Sequence, residues 1–227
     1  MNYLAHYILD HRRGHACYNA GLLLPDILRP QDGGYRIEEG ARSDIDDLAP
    51  ALVAFHHGIR RHVQRDRQFH SSSFFIQESR AIRHQLNAFP DLARKRYLFF
   101  LAHIWLELSL DRWLIVHHPD YAHALYRDLA RVPKMSWARL LHFHRHPSPE
   151  WAIARLRKFH KHAFLWRYRD PLALRNILES VAQRVGLTFF EHLSEEAFLR
   201  LNHQIDTRMA QWLGSTTNRG PNLSALR

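Results

Sequence analysis

The sequence is short of the residues that build disulfide frameworks, sheets and long loops. Its 227 residues include one cysteine, Cys17. That excludes an internal disulfide framework and any cysteine-rich zinc module; it fits a reducing, cytoplasmic setting, and Cys17 reads as a buried small hydrophobe. Glycine numbers nine and proline ten, and no stretch sustains an alternation of β-branched residues, so helical signals dominate. The one hairpin-type dipeptide, Asp32-Gly33, has no alternating apolar runs beside it and reads as loop. The opening Met1-Asn2-Tyr3-Leu4-Ala5-His6 lacks a basic n-region and a small-residue cleavage site, so no signal peptide is expected. A clean membrane-spanning run is missing as well. The most apolar stretch, 97–116, has bilayer length but carries His103, Glu107, Asp111 and Arg112. A central charge costs roughly 2.5–3.5 kcal/mol on the insertion scale, so this stretch is expected as a buried helix without a membrane span.

What the chain does have is a globular balance, 46% hydrophobic and 24% charged, together with 19 histidines and a formal net charge of +10. Helical spacing organises most of it. A short apolar segment covers 3–10, and a second covers 15–24 and stops at Pro25. Residues 29–43, with Pro30, Gly33, Gly34 and Gly40, read as loop. Asp46 and Asp47 are placed to cap a helix over 48–69. A further helix is expected over 74–89 after Ser71-Ser72-Ser73, and a central apolar one over 92–117, ended by His118-Pro119. Between Arg127 and Arg169 stand eleven Lys/Arg but only two acids, Asp128 and Glu150. Two or three helices are expected there, broken around Pro147 and Pro149, and a last helix over 194–212. The fold class is all-α, an HD-domain-like helical bundle with one main domain over 1–213. Within that domain, residues 1–118 carry the candidate site and residues 119–213 are basic and helical; a flexible tail is expected over 214–227.

Polar residues occupy positions that a core stripe should fill with hydrocarbon. The stripe Leu52, Phe55, Ile59 continues at helical spacing through His62, Asp66 and Phe69 or His70. His62, Asp66 and His70 step by four, so consecutive pairs share a face and can converge on one ion; an exposed polar helix end is the alternative. His103, Glu107 and Asp111 repeat the spacing inside a helix that is apolar nearly all round. Buried carboxylates there need a cation, either a metal or a basic side chain such as Arg112. Helices that each present His and carboxylate one turn apart are a way to build a metal site in a helical protein. Without thiolate, such a set suits Mn, Mg, Fe or Zn. His6, in an apolar octapeptide, and Asp26, after Leu22-Leu23-Leu24-Pro25, are further candidates; a core histidine and a turn aspartate are their plain readings.

In the basic half, Trp151, Phe159, Trp166 and Tyr168 interleave with Arg155, Arg157, Lys158, Lys161 and Arg167. The pattern suits stacking plus phosphate contact with nucleic acid, or a basic amphipathic helix whose aromatics are core. A positive surface equally suits an acidic protein. His142, His144 and His146 alternate beside Pro147 and read as surface histidines.

Four segments carry a family resemblance. Met1-Asn2-Tyr3-Leu4-Ala5-His6 resembles the MNFLAH opening of the acyl carrier protein phosphodiesterase family. Gly21-Leu22-Leu23-Leu24-Pro25-Asp26 is similar to its G-N-L-L-x-D segment, and Gly58-Ile59-Arg60-Arg61-His62-Val63-Gln64-Arg65-Asp66 to its G-I-x-x-H-x-x-x-D helix. Glu107-Leu108-Ser109-Leu110-Asp111-Arg112-Trp113-Leu114 resembles its D-x-x-W-D-H-F-L segment. The four fall in order within the first half of the chain, and nothing specific follows residue 120.

The resemblance implies a divergent, HD-domain-like all-helical phosphohydrolase. Such an enzyme uses a divalent cation, typically Mn, to cleave the phosphodiester joining 4′-phosphopantetheine to a serine of acyl carrier protein. His6, Asp26, His62, Asp66 and Asp111 would then carry the metal chemistry, with His103 beside them as a further ligand. Asp26 or Glu107 would position water, and His70 or Arg112 would stabilise phosphoryl charge, with Arg60 and Arg61 reaching phosphate. The sequence departs from the pattern at Arg112, which stands for the family's His; at Glu107, for an Asp; and at His70, for a later Asp. It also has no adjacent His-Asp doublet. Three readings stand: the acyl carrier protein phosphodiesterase, an HD-like phosphohydrolase on another phosphoester, and a non-catalytic helical module binding nucleic acid or an acidic protein.

Overall fold

The computed structural model describes residues 1–28, 49–89, 97–184, 193–214 and 223–226. Every regular element among them is a helix, and no strand occurs among the described residues. In chain order these are α1 (Tyr3–Asp10), α2 (Ala16–Gly21), α3 (Leu24–Ile27), α4 (Pro50–Ser71), α5 (Ser73–Leu86), α6 (Leu98–His117), α7 (Pro119–Arg131), α8 (Lys134–Phe143), α9 (Pro149–His162), α10 (Pro171–Arg184) and α11 (Glu195–Leu213). Short 3-10 turns cover Phe164–Arg169 and Ser224–Leu226. The protein is all-α, as its scarcity of glycine and proline and its helical spacing predict.

Local chemistry sets the ends. The Ser72 hydroxyl accepts the Phe75 N–H and caps α5, and Ser194 does the same for α11 through Ala197, each meeting an amide with no partner inside its helix. Glu195 and Glu196 lie in the first turn of α11, where the helix dipole favours negative charge. Pro25 differs from expectation. It does not stop a helix; it sits in the first turn of α3, where a missing N–H costs nothing, and α2 ends earlier, at Gly21. The expected loop at 29–43 and the caps at Asp46 and Asp47 lie outside the described residues, as does the expected onset of the central helix at residue 92. Of the expected tail, 215–222 and 227 also lie outside them, while Leu223 and Leu226 are buried. Among the described residues no helix is long and apolar enough to cross a membrane.

Main-chain packing groups the chain into two compact units. One, here the α6 unit, comprises Met1–Asn2, Gln68–Pro119 and Leu165–Arg227. Within it α6 packs on α5, α10 and α11, and Trp105 of α6 stacks on Phe198 of α11 at 4.9 Å. Across two of its helices Arg208 donates to Glu78 at 2.6 Å and the Trp212 indole to the same carboxylate at 2.8 Å. The other, the α1 unit, comprises Tyr3–Arg67 and Asp120–Phe164. Within it α3 packs on α2 and α9, and Arg155 of α9 donates to the carbonyl of Ile27. Where α2 meets α4 the backbones touch. A Cβ on Gly21 would lie 2.3 Å from the Phe55 carbonyl oxygen, and one on Gly58 would lie 2.2 Å from that of Tyr18. Only glycine fits at both positions, and this approach sets Leu22 beside His62.

Candidate metal centre

In the α1 unit, α1 supplies His6, α3 supplies Asp26, and α4 supplies His62 and Asp66. One ligand-type atom from each of His6, Asp26 and His62 lies within 4.8 Å of the others. The two imidazoles stack face to face, their centroids 3.8 Å apart and their planes 23° from parallel. His6 is fully buried and His62 nearly so. His62 Nδ1 lies 2.8 Å from the Leu22 carbonyl oxygen. A carbonyl can only accept, so Nδ1 carries the proton and donates, and in the neutral tautomer Nε2 keeps its lone pair. That nitrogen faces Asp26 Oδ1 at 3.9 Å, and His6 Nε2 faces Asp66 Oδ1 at 3.9 Å.

These residues fit a divalent cation. In the neutral tautomer a lone pair opposes a carboxylate oxygen, an arrangement that a cation between them makes attractive. Donors about 2.1 Å from an octahedral ion sit about 3.0 Å apart when adjacent and about 4.2 Å apart when opposite, which brackets the observed gaps. A carbonyl that fixes the tautomer of a ligating histidine is the usual outer support of a metal site. Asp66 has 35% of its side chain exposed; it borders the three-residue group without belonging to it.

The α6 unit holds a second group: His70 at the end of α4, with His103 and Glu107 one turn apart on α6. His103 Nε2 lies 2.7 Å from Glu107 Oε1, His70 Nε2 lies 3.2 Å from the same oxygen, and the two nitrogens are 3.0 Å apart. The Met1 amino group donates to that oxygen at 2.9 Å. Burial by itself would raise the Glu107 carboxyl, but the Met1 charge and the hydrogen bonds from His103 and His70 outweigh it and hold the group well below the usual carboxylate range.

The eight residues expected to share metal and water chemistry therefore divide between the units. His6, Asp26, His62 and Asp66 come together in one; His70, His103 and Glu107 come together in the other. Asp111, fully buried on α6, belongs to the latter unit and to neither group.

The arginines expected on substrate phosphate are engaged elsewhere. Arg61 donates to Asp10 at 2.7 Å and to Gln64 at 2.9 Å, and Arg65 grips both Asp10 oxygens at 2.9 Å. Burial would raise the Asp10 carboxyl, but these guanidiniums outweigh it and lower it below 3.8. Arg112 donates to Asp206 at 2.5 Å, and Asn202 supports the same oxygen at 3.2 Å; burial nonetheless pushes the Asp206 carboxyl up against the pull of Arg112. Arg60 is exposed and sits two residues from His62, about 200° round the helix, so it does not share that face.

Sequence reasoning passes over three partners. Asp10 is one turn beyond His6, and Arg61 and Arg65 are themselves one turn apart, a spacing that signals a shared carboxylate. The Leu22 carbonyl leaves no signal, because a backbone atom has none. Asp128, in sequence only an acid among bases, is buried and accepts from the Tyr7 hydroxyl at 2.7 Å and from Asn19 at 2.6 Å; burial and that carboxylate push the Tyr7 hydroxyl up. The histidines expected at the surface also need correction. His142 is exposed, but His146 is buried, its Nδ1 accepting the Ser148 N–H at 3.1 Å. His144 is pushed down to about 4, first by burial and then by neighbouring His56. Cys17 is half-buried rather than a core residue.

No protein-family model, curated protein or solved structure matches the chain.

Proposed function

We propose that the α1 unit carries the centre of a divalent-metal-dependent phosphodiesterase, with Mn the first candidate ion. The observation that carries this reading is the His62 tautomer: its Nδ1 is committed to the Leu22 carbonyl at 2.8 Å, so that in the neutral ring its Nε2 lone pair faces the Asp26 carboxylate. His6, Asp26 and His62 would hold the ion, which supplies Lewis acidity towards a phosphoryl oxygen and makes water a nucleophile near neutral pH. Asp66, beside His6 and reaching solvent, is placed to take the proton of the attacking water. Buried His6 and the stacked rings keep the ligand atoms in place without reorganisation.

The surface of the same unit and the four resembling segments support a substrate class. Arg157, Lys158 and Lys161 are exposed on α9. That helix packs on α3, which bears Asp26. A cationic face beside the centre suits an acidic protein bearing a phosphodiester, of which holo acyl carrier protein is the first candidate. A non-catalytic nucleic-acid reading has one observation of its own: Trp151 is 40% exposed, with the Arg155 guanidinium 5.5 Å from its ring, an arrangement that suits base stacking.

The test is to incubate the Mn-loaded full-length chain with holo acyl carrier protein and to follow the protein mass. Loss of the phosphopantetheine mass is expected, and His62→Ala should lower the rate by at least about 100-fold. If the acyl carrier protein is unchanged while a bis-aryl phosphodiester is cleaved, the substrate assignment fails and the hydrolase reading stands. If neither is cleaved and single-stranded nucleic acid binds with a steep salt dependence, the non-catalytic reading replaces it.

A further inference from the structure

The second histidine–carboxylate group has a geometry that protons alone do not satisfy. His70 Nε2, His103 Nε2 and Glu107 Oε1 form a triangle with sides of 3.0, 2.7 and 3.2 Å. Each imidazole Nε2 offers either one N–H or one lone pair, and the carboxylate oxygen only accepts. If both nitrogens carry hydrogen, both donate to the Glu107 oxygen that also accepts from Met1, and the two N–H groups repel one another across the 3.0 Å edge between them. If one carries hydrogen and donates to the other ring, the second nitrogen turns its lone pair on the carboxylate 2.7 or 3.2 Å away. Whichever tautomers are chosen, one edge is repulsive. A cation near the centre makes all three edges attractive.

The surroundings hold the donors in register. Phe75 stands edge-on to both rings, with centroids 4.7 Å from His70 and 5.0 Å from His103. The two imidazoles are inclined at 68° with centroids 4.7 Å apart, so their edges rather than their faces converge. His103 and Glu107 lie one turn apart on α6, the spacing by which a helix presents two ligands to one ion. Side-chain exposures of 31% for His70, 24% for His103 and 12% for Glu107 leave a route from solvent.

We propose that His70, His103 and Glu107 form a divalent transition-metal site of their own, of Zn²⁺ class, with one coordination position open to solvent. Two imidazoles and one carboxylate without thiolate are a zinc donor set that leaves such a position. Donors on a tetrahedral zinc ion sit roughly 3.3 Å apart, so the three atoms need to part by only a few tenths of an ångström. The proposal goes beyond the phosphodiesterase reading and does not rest on it, because the two groups share no residue.

The experiment is calorimetric titration of the chelator-treated full-length chain with Zn²⁺, with Co²⁺ absorption reporting coordination. Wild type should bind two equivalents. His103→Gln and Glu107→Gln should each weaken one of them by about 100-fold or more, whereas His62→Ala should weaken the other. Two equivalents retained in both His103→Gln and Glu107→Gln would overturn the proposal. If wild type binds one ion that His62→Ala removes and His103→Gln does not, the proposal falls and the phosphodiesterase centre stands. If His103→Gln removes that one ion and His62→Ala does not, the proposal stands and the phosphodiesterase centre falls. Should the variants fail to fold, histidine modification by diethyl pyrocarbonate on wild type decides. Zn²⁺ should slow modification of His70 and His103 about 10-fold or more by peptide mass, and unchanged reactivity would sink the site.

Discussion

The two histidine–carboxylate groups use the same donor types and differ in how those donors are spaced. In the α1 unit, the two histidines are buried, the carboxylates reach solvent, and the donors stand apart: 3.9 Å from His62 to Asp26 and 3.9 Å from His6 to Asp66. In the α6 unit, all three donors are partly buried and touch one another at 2.7 to 3.2 Å. The difference lies in what positions them. His62 is tied to a backbone carbonyl, and α2 meets α4 through two glycines, so the first group is held open by main chain. The second is placed by long side chains and by packing against Phe75, which lets the donors collapse onto each other. An ion entering the first group meets ligand atoms that already stand apart. One entering the second competes with hydrogen bonds already made, so the first group should bind the more tightly and the second should depend more on the ion supplied.

The sharpest way to break this contrast is to move the main chain that supports only the first group. In a helix interior Ala is favoured over Gly by about 1 kcal/mol. At Gly58, however, a Cβ would sit 2.2 Å from the Tyr18 carbonyl oxygen, a backbone atom that cannot step aside. Gly58→Ala should therefore destabilise the chain by about 3 kcal/mol in chemical denaturation. It should also abolish metal binding at His62, one turn further along α4, because α2 and its Leu22 carbonyl are pushed away. Zn²⁺ affinity at His103 and Glu107 should not change. Equal loss at both groups would show that the glycine contact supports more than the first.

How much is legible in the sequence differs between the groups for the same reason. Pairs on one helix are visible as spacing, and both His62 with Asp66 and His103 with Glu107 emerge that way. His6 and Asp26 are weak by spacing and rise only with the resembling segments, since nothing in a linear chain says that α1 and α3 meet α4. The Gly21–Gly58 contact sits inside two of those segments, which gives their glycines a steric purpose. The division of donors into two units is not legible, because a stripe of His62, Asp66 and His70 reads as continuous although α4 serves both units. The arginines mislead for a related reason: sequence proximity puts Arg61 and Arg112 near phosphate, whereas their carboxylates, Asp10 and Asp206, are remote in sequence. The all-α class is legible throughout, because it rests on local spacing and the absence of breakers.

A smaller effect separates the scaffold of the first group from its chemistry. Asp10 is held below its ordinary 3.8 by Arg65 and Arg61, against the opposing effect of burial. Because its folded-state value is the lower one, its ionised form contributes stability that is complete above about pH 4 and is lost as pH falls through the depressed value. Only 5% of the Asp10 side chain and 6% of that of Arg65 are exposed, so solvent screens the pair little. Asp10→Asn should cost about 2 kcal/mol at neutral pH, and the gap to wild type should close in acid. Denaturation curves at about pH 7 and about pH 2.5 check the sign. A gap that widens in acid would mean that Asp10 is not the group being protonated.

The smallest effect expected is the mirror of the glycine test. Ser72 ends the turn between His70 and α5, donating to the Phe69 carbonyl at 2.7 Å and accepting the Phe75 N–H at 3.2 Å. It thereby sets the angle at which Phe75 stands against both imidazoles. Ser72→Ala removes one helix cap and should cost about 1 kcal/mol. It should weaken Zn²⁺ binding at His70, His103 and Glu107 a few-fold and leave binding at His62 as it was. The modest size follows from the geometry: Phe75 steers the rings by packing, and a frayed first turn of α5 loosens that wall without removing a ligand. A loss confined to His62 would instead mean that the α5 cap is not what holds the second group in register.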